Sequence, residues 1–165
     1  MRLRPATVGS RRPDLPVARG ERLLAWASTV EGNVVGGTRD ALYAPIRIPW
    51  EQVETADWDR ESSVLQISEV GNWGEIRPEH HFTIDEPGRL LELIRERVTA
   101  SVVLQRHVAV AGRRGVRVIA RRAPSSQSEI TWLFEYDEGI DAADPTVRLA
   151  AAEAFAAARE ELGTL

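Results

Sequence analysis

Apolar and polar residues alternate along the first half of the chain, and this period of two predicts β-strands. The clearest case is residues 21–30, ERLLAWASTV, which reads as a strand with two different faces. The Gly and Asn within residues 31–33 tolerate positive φ and therefore predict a turn. Further strands are predicted over residues 34–38, 41–48 and 77–84.

A hairpin is predicted over residues 47–69, RIPWEQVETADWDRESSVLQISE. Both of its arms are rich in β-branched and aromatic residues, and the polar residues 59–63 between them predict the turn. Such a hairpin needs an apolar layer to cover it. We therefore expect Trp50 and Trp58 to lie in the core rather than on a contact surface.

The period changes after residue 84, and the new spacing predicts a helix. Asp85 is placed to cap free N–H groups, and Pro87 near the first turn costs no helical hydrogen bond. Charged residues occupy the other faces of the predicted helix. Its apolar stripe consists of Leu90, Leu91, Ile94, Val98 and Val102.

The last third of the chain predicts a β-hairpin and a terminal helix. Residues 112–115 form a turn, followed by strands over residues 116–122 and 130–136. Asp144 and Pro145 begin a helix that runs to about residue 161. The predicted buried stripe of this helix is Val147, Ala151, Ala154, Phe155, Ala158 and Leu162.

This order of elements, several strands followed by one amphipathic helix, resembles the pleckstrin-homology-like (PH-like) fold of the bacterial PH and GRAM-like families. The resemblance rests on residues 20–25, 37–43 and 47–53, together with the 64–67 strand and the 90–98 helix. It implies an α+β fold, mostly antiparallel, in which a capping helix closes a partly open barrel that serves binding. Phosphoinositide-binding members place basic residues around the first hairpin turn. Because residues 31–33 are Glu-Gly-Asn, the resemblance gives no basis for phosphoinositide binding in the usual manner.

The resemblance covers residues 20–104 and divides the chain into three parts. Residues 1–20 are interpreted as a tail that either extends away or lies along the surface, and residues 21–104 form the PH-like unit. Residues 105–165, the hairpin and terminal helix, are an extension that we expect to pack on the same domain. The 165-residue length fits this single-domain organisation.

Composition excludes several kinds of chemistry. The chain has no Cys, so disulfides and thiolate sites are excluded. All 21 of its basic residues are Arg, which excludes Lys chemistry, although GC-rich codon usage also explains the bias. No apolar run approaches the roughly 20 residues that a membrane span needs. We expect a cytoplasmic protein, either free or at a membrane surface.

No residue pattern indicates catalysis. His80 and His81 are adjacent on a predicted strand and point to opposite faces, so they do not favour a shared metal ion. None of the Ser residues stands in a G-x-S-x-G elbow, and the Gly-rich turns lack nucleotide-binding spacing. We therefore predict no cofactor and no metal. An enzyme is not expected, but it is not excluded.

The charge pattern supplies the candidate binding residues. Residues 106–122 carry six Arg and no acid, whereas residues 129–161 are strongly acidic. One interpretation is a surface for a protein or an acidic ligand, formed by arginines of this stretch. The other is internal pairing, in which Arg117 or Arg121 lies beside Glu129 or Glu135. With a net charge of −4, nucleic acid is not an expected partner. The candidate surface residues are Arg113, Arg114, Arg117 and Arg121.

A fifth candidate, Trp73, lies between glycines in residues 71–74 and either anchors a partner or plugs the core. The leading hypothesis is a non-catalytic binding or adaptor domain, which predicts an exposed sheet edge or apolar patch. The alternative is a small-molecule sensor or enzyme that uses the barrel interior with His80 or His81. A third hypothesis is a homo-oligomer in which the Ala-rich stripe of the terminal helix packs against its copy.

Overall fold

The computed structural model describes residues 11–71 and 75–163. Within these ranges the chain forms ten strands in three antiparallel sheets, and two helices, which confirms the predicted α+β class. The first sheet has the order β1-β2-β3-β4. Its strands are β1 (Ala25–Ser28), β2 (Val34–Gly37), β3 (Ala41–Tyr43) and β4 (Arg47–Pro49).

The prediction of one strand over residues 41–48 is wrong, because this segment folds back on itself. Pro45 cannot donate to a ladder, and the N–H of Ala44 bonds to the carbonyl of Ile46 at 2.9 Å. β3 and β4 therefore pair with each other, with Leu42 opposite Ile48. The apolar alternation continues across the turn, so the pattern alone does not reveal it.

The second sheet has the order β5-β6-β7, formed by β5 (Val53–Asp59), β6 (Val64–Glu69) and β7 (Glu79–Thr83). The predicted turn at residues 59–63 is confirmed, and the Asp59 carboxylate accepts bonds from Glu61 N and Ser62 Oγ at 2.9 and 2.7 Å. The first arm of the hairpin begins at Val53 rather than residue 47. A single 3₁₀ turn, Trp50–Gln52, separates it from β4, which belongs to the first sheet.

Helix α1 (Leu90–Ser101) covers the apolar space between these two sheets. The prediction that Asp85 caps this helix is wrong, because α1 begins three residues after Pro87 and has no side-chain cap. Val102 also leaves the predicted stripe, since it begins a strand. The buried core of this region consists of Ala25, Ala27, Val35, Leu42, Ala44, Ile48, Trp50, Val53, Leu65, Ile67, Ile84, Leu90, Leu93 and Ile94.

The first two sheets meet at one corner but do not merge. The N–H of Val30, just after β1, bonds to the carbonyl of Thr83 in β7 at 2.9 Å. The described residues form no closed barrel, and the three sheets remain separate ladders. We refer to β1–β7 with α1 as the first region.

Residues after α1 form a third sheet in the order β10-β9-β8, one strand larger than the predicted hairpin. The additional strand is β8 (Val102–Ala111), which pairs with β9 (Arg114–Arg121), and β9 pairs with β10 (Thr131–Tyr136). Sequence reasoning missed β8 because Val98 and Val102 continue the helical spacing of α1.

Helix α2 (Pro145–Gly163) packs on one face of the third sheet, and these four elements form the second region. The predicted start is confirmed, since the Asp144 carboxylate accepts a bond from Thr146 N at 2.7 Å. Val147, Ala151, Ala154 and Ala158 are buried, and Phe155 and Leu162 are half-buried. The Ala stripe therefore packs inside the chain and is not free to meet a copy of itself.

Candidate binding sites

The candidate arginines of β9 do not form one surface. Arg117 lies directly opposite Glu135 in the β9–β10 register, and its Nη1 is 3.3 Å from Glu135 Oε2. This is a cross-strand ion pair of the kind that the pairing interpretation predicts. His107 is opposite Arg117 on the other side and bonds to Asp137 at 2.8 Å. Arg117 and His107 therefore each have an acidic partner on the chain itself.

Arg121 is buried, with 4% of its surface exposed, so it cannot belong to an exposed binding surface. Its Nη1 donates to Ser101 Oγ at 2.9 Å and its Nη2 to the carbonyl of Glu54 at 3.0 Å. Ser101 ends α1 and Glu54 lies in β5, so this guanidinium joins the second region to the first. Arg121, a candidate for ligand binding, therefore makes structural hydrogen bonds between the two regions instead.

Arg113 and Arg114 lie at the β8–β9 turn and are exposed. Arg114 Nη1 donates to the carbonyl of Glu138 at 3.2 Å, which ties the turn to the residues after β10. The structure thus separates these two arginines from Arg121, which is at the other end of β9. The fifth candidate, Trp73, lies outside the described residues.

Glu54 is the buried acid at the junction of the two regions. Its carboxylate is 2.6 Å from Nη1 of Arg77, and 6% of the residue is exposed. Burial raises the pKa of Glu54 above its usual value, and the nearby Glu135 adds to the effect. The positive charges of Arg77 and Arg121 oppose that rise but do not cancel it. Charged groups here hold two layers together, and their arrangement is that of a structural ion-pair network.

The histidines are dispersed, as their alternation predicts. His80 bonds through Nε2 to Glu69 Oε2 at 2.7 Å, while His81 is exposed on the opposite face of β7. Neither histidine lines the groove between α1 and β5 or the cavities that contain Arg39. Within residues 11–71 and 75–163, no group of three or more acidic or histidine side chains could hold a metal ion.

A groove of about 420 Å³, lined by both apolar and polar side chains, opens between α1 and the second sheet. The sequence predicts no such α1–β5 groove, and it predicts that Trp58 lies in the core. In the structure Trp58 packs against the margin of that core and also lines the groove. Leu65 is fully buried in it, whereas Trp58 and Val98 are half-buried and remain partly accessible. Asp57 and Arg95 add opposite charges to the lining. The apolar lining consists of Ala56, Trp58, Leu65, Leu91, Ile94 and Val98.

β5 lies at the edge of its sheet, beside the groove. It pairs with β6 on one side, and among the described residues no strand pairs with its other side. An edge strand presents unpaired backbone N–H and carbonyl groups, which can pair with a further strand. The groove therefore combines apolar side chains with a row of backbone hydrogen-bonding groups that lies beyond the Glu54 carbonyl, which Arg121 occupies.

A second, polar cavity of about 300 Å³ lies between the turn after β2 and the segment after β9. It is lined by Arg39 and Arg122 together with Ser125, Ser126 and Gln127. We call it the Arg39–Arg122 cleft. Sequence reasoning missed it because the two arginines are far apart in the chain, and each follows a strand with no motif around it.

No family model, curated protein or solved structure matches the chain. Neither helix in the described part of the chain is long and apolar enough to cross a membrane. The functional conclusion therefore rests on the geometry of the described sites alone.

Proposed function

We propose that the chain is a non-catalytic binding module that docks an extended segment of a partner protein in the α1–β5 groove. The observation that carries the proposal is the position of this groove, with its accessible apolar side chains, beside a strand edge that lacks a neighbour in the described structure. An extended peptide can satisfy both features at once. Its backbone pairs with β5, and its alternate side chains enter the groove.

The charges of the groove define the chemistry of the partner. Asp57 is exposed on β5, and opposite charges favour each other across neighbouring strands. Arg95 lines the helical side of the groove and is also exposed. We therefore expect a segment with apolar residues at alternate positions, a basic residue near Asp57 and an acidic residue near Arg95.

The order of elements supports a PH-like assignment of the first region as part of this proposal. A four-stranded and a three-stranded antiparallel sheet precede a helix that covers the space between them. Such an arrangement leaves the edge of β5 beside the capping helix. The proposal places the protein in the cytoplasm and gives it no nucleic acid or phosphoinositide partner.

The test is selection of peptides from a library of random dodecapeptides displayed on phage, with the full chain as bait. We expect enriched peptides to alternate apolar residues. A synthetic copy should bind with a Kd on the order of 1–100 µM, as is usual for small interfaces. Binding should slow amide hydrogen exchange in residues 53–59, because strand addition pairs the free edge of β5.

Two helix substitutions provide a matched comparison. Val98→Asp places a charge in the groove and should weaken peptide binding at least tenfold, whereas Leu149→Asp on α2 should leave binding unchanged. Leu149 is 61% exposed, so its substitution does not disturb a core. If Val98→Asp affects folding, Thr99→Arg blocks the groove from an exposed position instead.

Three outcomes would contradict the proposal. The first is a library that yields no enriched sequence, and the second is a peptide whose binding does not respond to either groove variant. The third is a concentration-dependent dimer, detected by analytical ultracentrifugation, that Thr99→Arg dissociates. In that last case the groove is occupied by a second copy of the chain rather than by a partner.

A further inference from the structure

We propose that the Arg39–Arg122 cleft binds the phosphate group of a small phosphorylated molecule. Two guanidinium groups, two hydroxyl groups and a side-chain amide line a cavity of about 300 Å³. Its lining, as far as the described residues form it, contains no Asp or Glu. This set of donors without an acid is suited to a multiply charged oxyanion.

The walls of the cleft are held in place by bonds that leave the guanidinium groups available. Thr38 Oγ1 accepts bonds from the N–H groups of Asp40 and Ala41, both at 3.1 Å, which fixes the turn that carries Arg39. Thr38 is fully buried, so this turn is anchored in the core. The side chain of Arg39 is exposed and has no partner among the described residues.

The opposite wall is fixed in a similar way. The N–H of Arg122 bonds to the carbonyl of Ser101 at 2.8 Å, which attaches this segment to the end of α1. Arg122 Nη1 donates to Gln127 Oε1 at 3.1 Å, so its side chain is oriented while its other N–H groups remain unused. Ser125 Oγ lies 3.4 Å from the carbonyl of Arg39, and this contact brings the two walls together.

The chemistry of the lining favours phosphate over a carboxylate. A guanidinium offers parallel N–H groups that match two oxygens, and two such groups match the charge of a phosphate monoester, which is close to −2. Ser126 adds a hydroxyl donor for the remaining oxygen, because the single O–H of Ser125 already donates to the carbonyl of Arg39. A single carboxylate would use one arginine and leave the other without a counter-charge.

The remainder of the ligand has a place beside the phosphate. A neighbouring cavity of about 510 Å³ shares Arg39 and Ser125 with the cleft. It is also lined by Arg22, Arg97 and Leu24. Arg97 has a buried Nε without a partner, and Leu24 is 46% exposed. Two acids, Glu21 and Asp40, also line this neighbouring cavity, and Glu21 is already paired with Arg47. This combination fits a phosphorylated small molecule with an apolar group.

The test is a titration of the full chain with inorganic phosphate and phenyl phosphate, observed in ¹H–¹⁵N correlation spectra at constant ionic strength. We expect saturable shifts of the amide signals of residues 38–40 and 122–127. Phenyl phosphate should bind more tightly than inorganic phosphate, because its ring reaches the exposed Leu24. Phosphatidylcholine vesicles with and without phosphatidic acid form the second arm, which distinguishes a lipid headgroup from a free phosphate.

The matched variants change the same charge at different places. Arg39→Gln/Arg122→Gln should weaken phenyl phosphate binding at least tenfold. Arg60→Gln/Arg148→Gln should leave it unchanged, because both of these residues are exposed and lie away from the cleft. Val98→Asp should also have no effect, which separates this site from the α1–β5 groove.

The proposal is overturned if neither probe gives saturable shifts, or if both pairs of arginine variants weaken binding equally. Equal weakening would show that phenyl phosphate responds to the net charge of the protein rather than to the Arg39–Arg122 cleft. Binding to phosphatidic acid vesicles without binding to phenyl phosphate would also overturn it, because the cleft would then recognise a membrane surface. Failure of peptide selection on the α1–β5 groove leaves this result unaffected.

Discussion

The first and second regions bury their side chains in different ways. In the first region, large side chains such as Trp50, Leu42 and Ile48 are almost completely buried between two sheets and α1. In the second region, the cluster centres on Val118, Ala154 and Ala158, with aromatic rings only partly buried around them. Large side chains fill the first core. The second core is formed by small residues, which allow the backbones of neighbouring elements to approach closely.

The difference also appears at the junction between the regions. One face of the third sheet packs on α2, and Arg121 of β9 donates to the carbonyl of Glu54 in β5. The two regions are therefore joined by hydrogen bonds and ion pairs in addition to packing. Such contacts give little net stability when intact but cost much when one partner is lost. We expect substitutions in the two cores and at the junction to behave differently.

The largest expected effect comes from adding one carbon to Gly115 in the second region. A Cβ at this position would lie 1.8 Å from the carbonyl oxygen of Val108, and backbone cannot move aside. Gly115→Ala should lower the free energy of unfolding by about 3 kcal/mol or more. Urea denaturation followed by circular dichroism measures the change.

Two further Gly→Ala substitutions complete that comparison. A Cβ at Gly37 would lie 2.7 Å from Leu93 Cδ2, the movable end of a side chain, and 3.1 Å from the ring of Trp50, so Gly37→Ala should cost about 2 kcal/mol. Gly163→Ala has nothing within 4 Å and should change stability by less than about 0.5 kcal/mol. Equal losses at residues 115 and 37 would show that the second region does not depend more on close backbone approach.

The second effect compares one tryptophan from each region. Trp50 is fully buried, and its Nε1 donates to the carbonyl of Thr38 at 3.0 Å. Trp50→Phe leaves that carbonyl unpaired and opens a void, so it should cost about 2–3 kcal/mol in urea denaturation. Trp132 packs edge-on against Phe155 and is half-buried, so Trp132→Phe should cost about 1 kcal/mol or less. A larger loss at residue 132 would reverse our ranking of the two cores.

The third effect tests the junction. Arg121→Gln removes the donors to Ser101 and to the Glu54 carbonyl, and should cost about 2 kcal/mol. Arg113→Gln on the same sheet is the matched control and should cost less than about 0.5 kcal/mol, because Arg113 is exposed. A double-mutant cycle of Arg121→Gln with Ser101→Ala should give a coupling free energy of at least about 0.5 kcal/mol. Additive losses would mean that the hydrogen bond between Arg121 and Ser101 contributes nothing.

The two regions also differ in how far their sequences predict them. In the first region, the alternation predicted most strands and the turn at residues 59–63, because one face of each strand is apolar. It did not predict the turn at Pro45, since apolar residues continue on both sides of it. In the second region, β8 follows α1 without a break, and its first residue continues the helical spacing of apolar residues. The alternation that would predict a strand was therefore not recognised.

The candidate sites were less predictable than the elements. Clustered charge along the chain pointed to Arg117 and Arg121, but proximity in sequence says nothing about which charge lies opposite in a sheet. Internal pairing was one of the two interpretations that sequence allowed, and the Arg117–Glu135 pair follows it. Both cavities proposed as binding sites join residues from distant elements, which only the folded chain brings together.

The smallest expected effect compares two buried acids through pH. Burial alone would raise the pKa of Glu21, but hydrogen bonds from Arg47, Tyr43 and Thr38 outweigh it and lower the pKa below 4.5. The folded state therefore favours ionised Glu21, and its contribution to stability is present above pH 4.5 and lost as pH falls through the folded pKa. Glu21→Gln should cost about 1 kcal/mol near pH 7 and almost nothing at a pH well below the folded value.

Glu54 at the junction should show the opposite dependence. Its folded pKa is raised above 4.5, so the folded state favours the protonated carboxyl, and stability falls as pH rises from 4.5 through the folded value. In urea denaturation, the advantage of the wild type over Glu54→Gln should decrease as pH rises from 4.5 through the folded pKa of Glu54. Its advantage over Glu21→Gln should instead increase as pH rises through the folded pKa of Glu21 towards 4.5, and should stay constant above that pH. Parallel pH profiles for the two variants would contradict this distinction. They would mean that Arg77 lowers the pKa of Glu54 enough to cancel the effect of burial, as the hydrogen-bond donors do for Glu21.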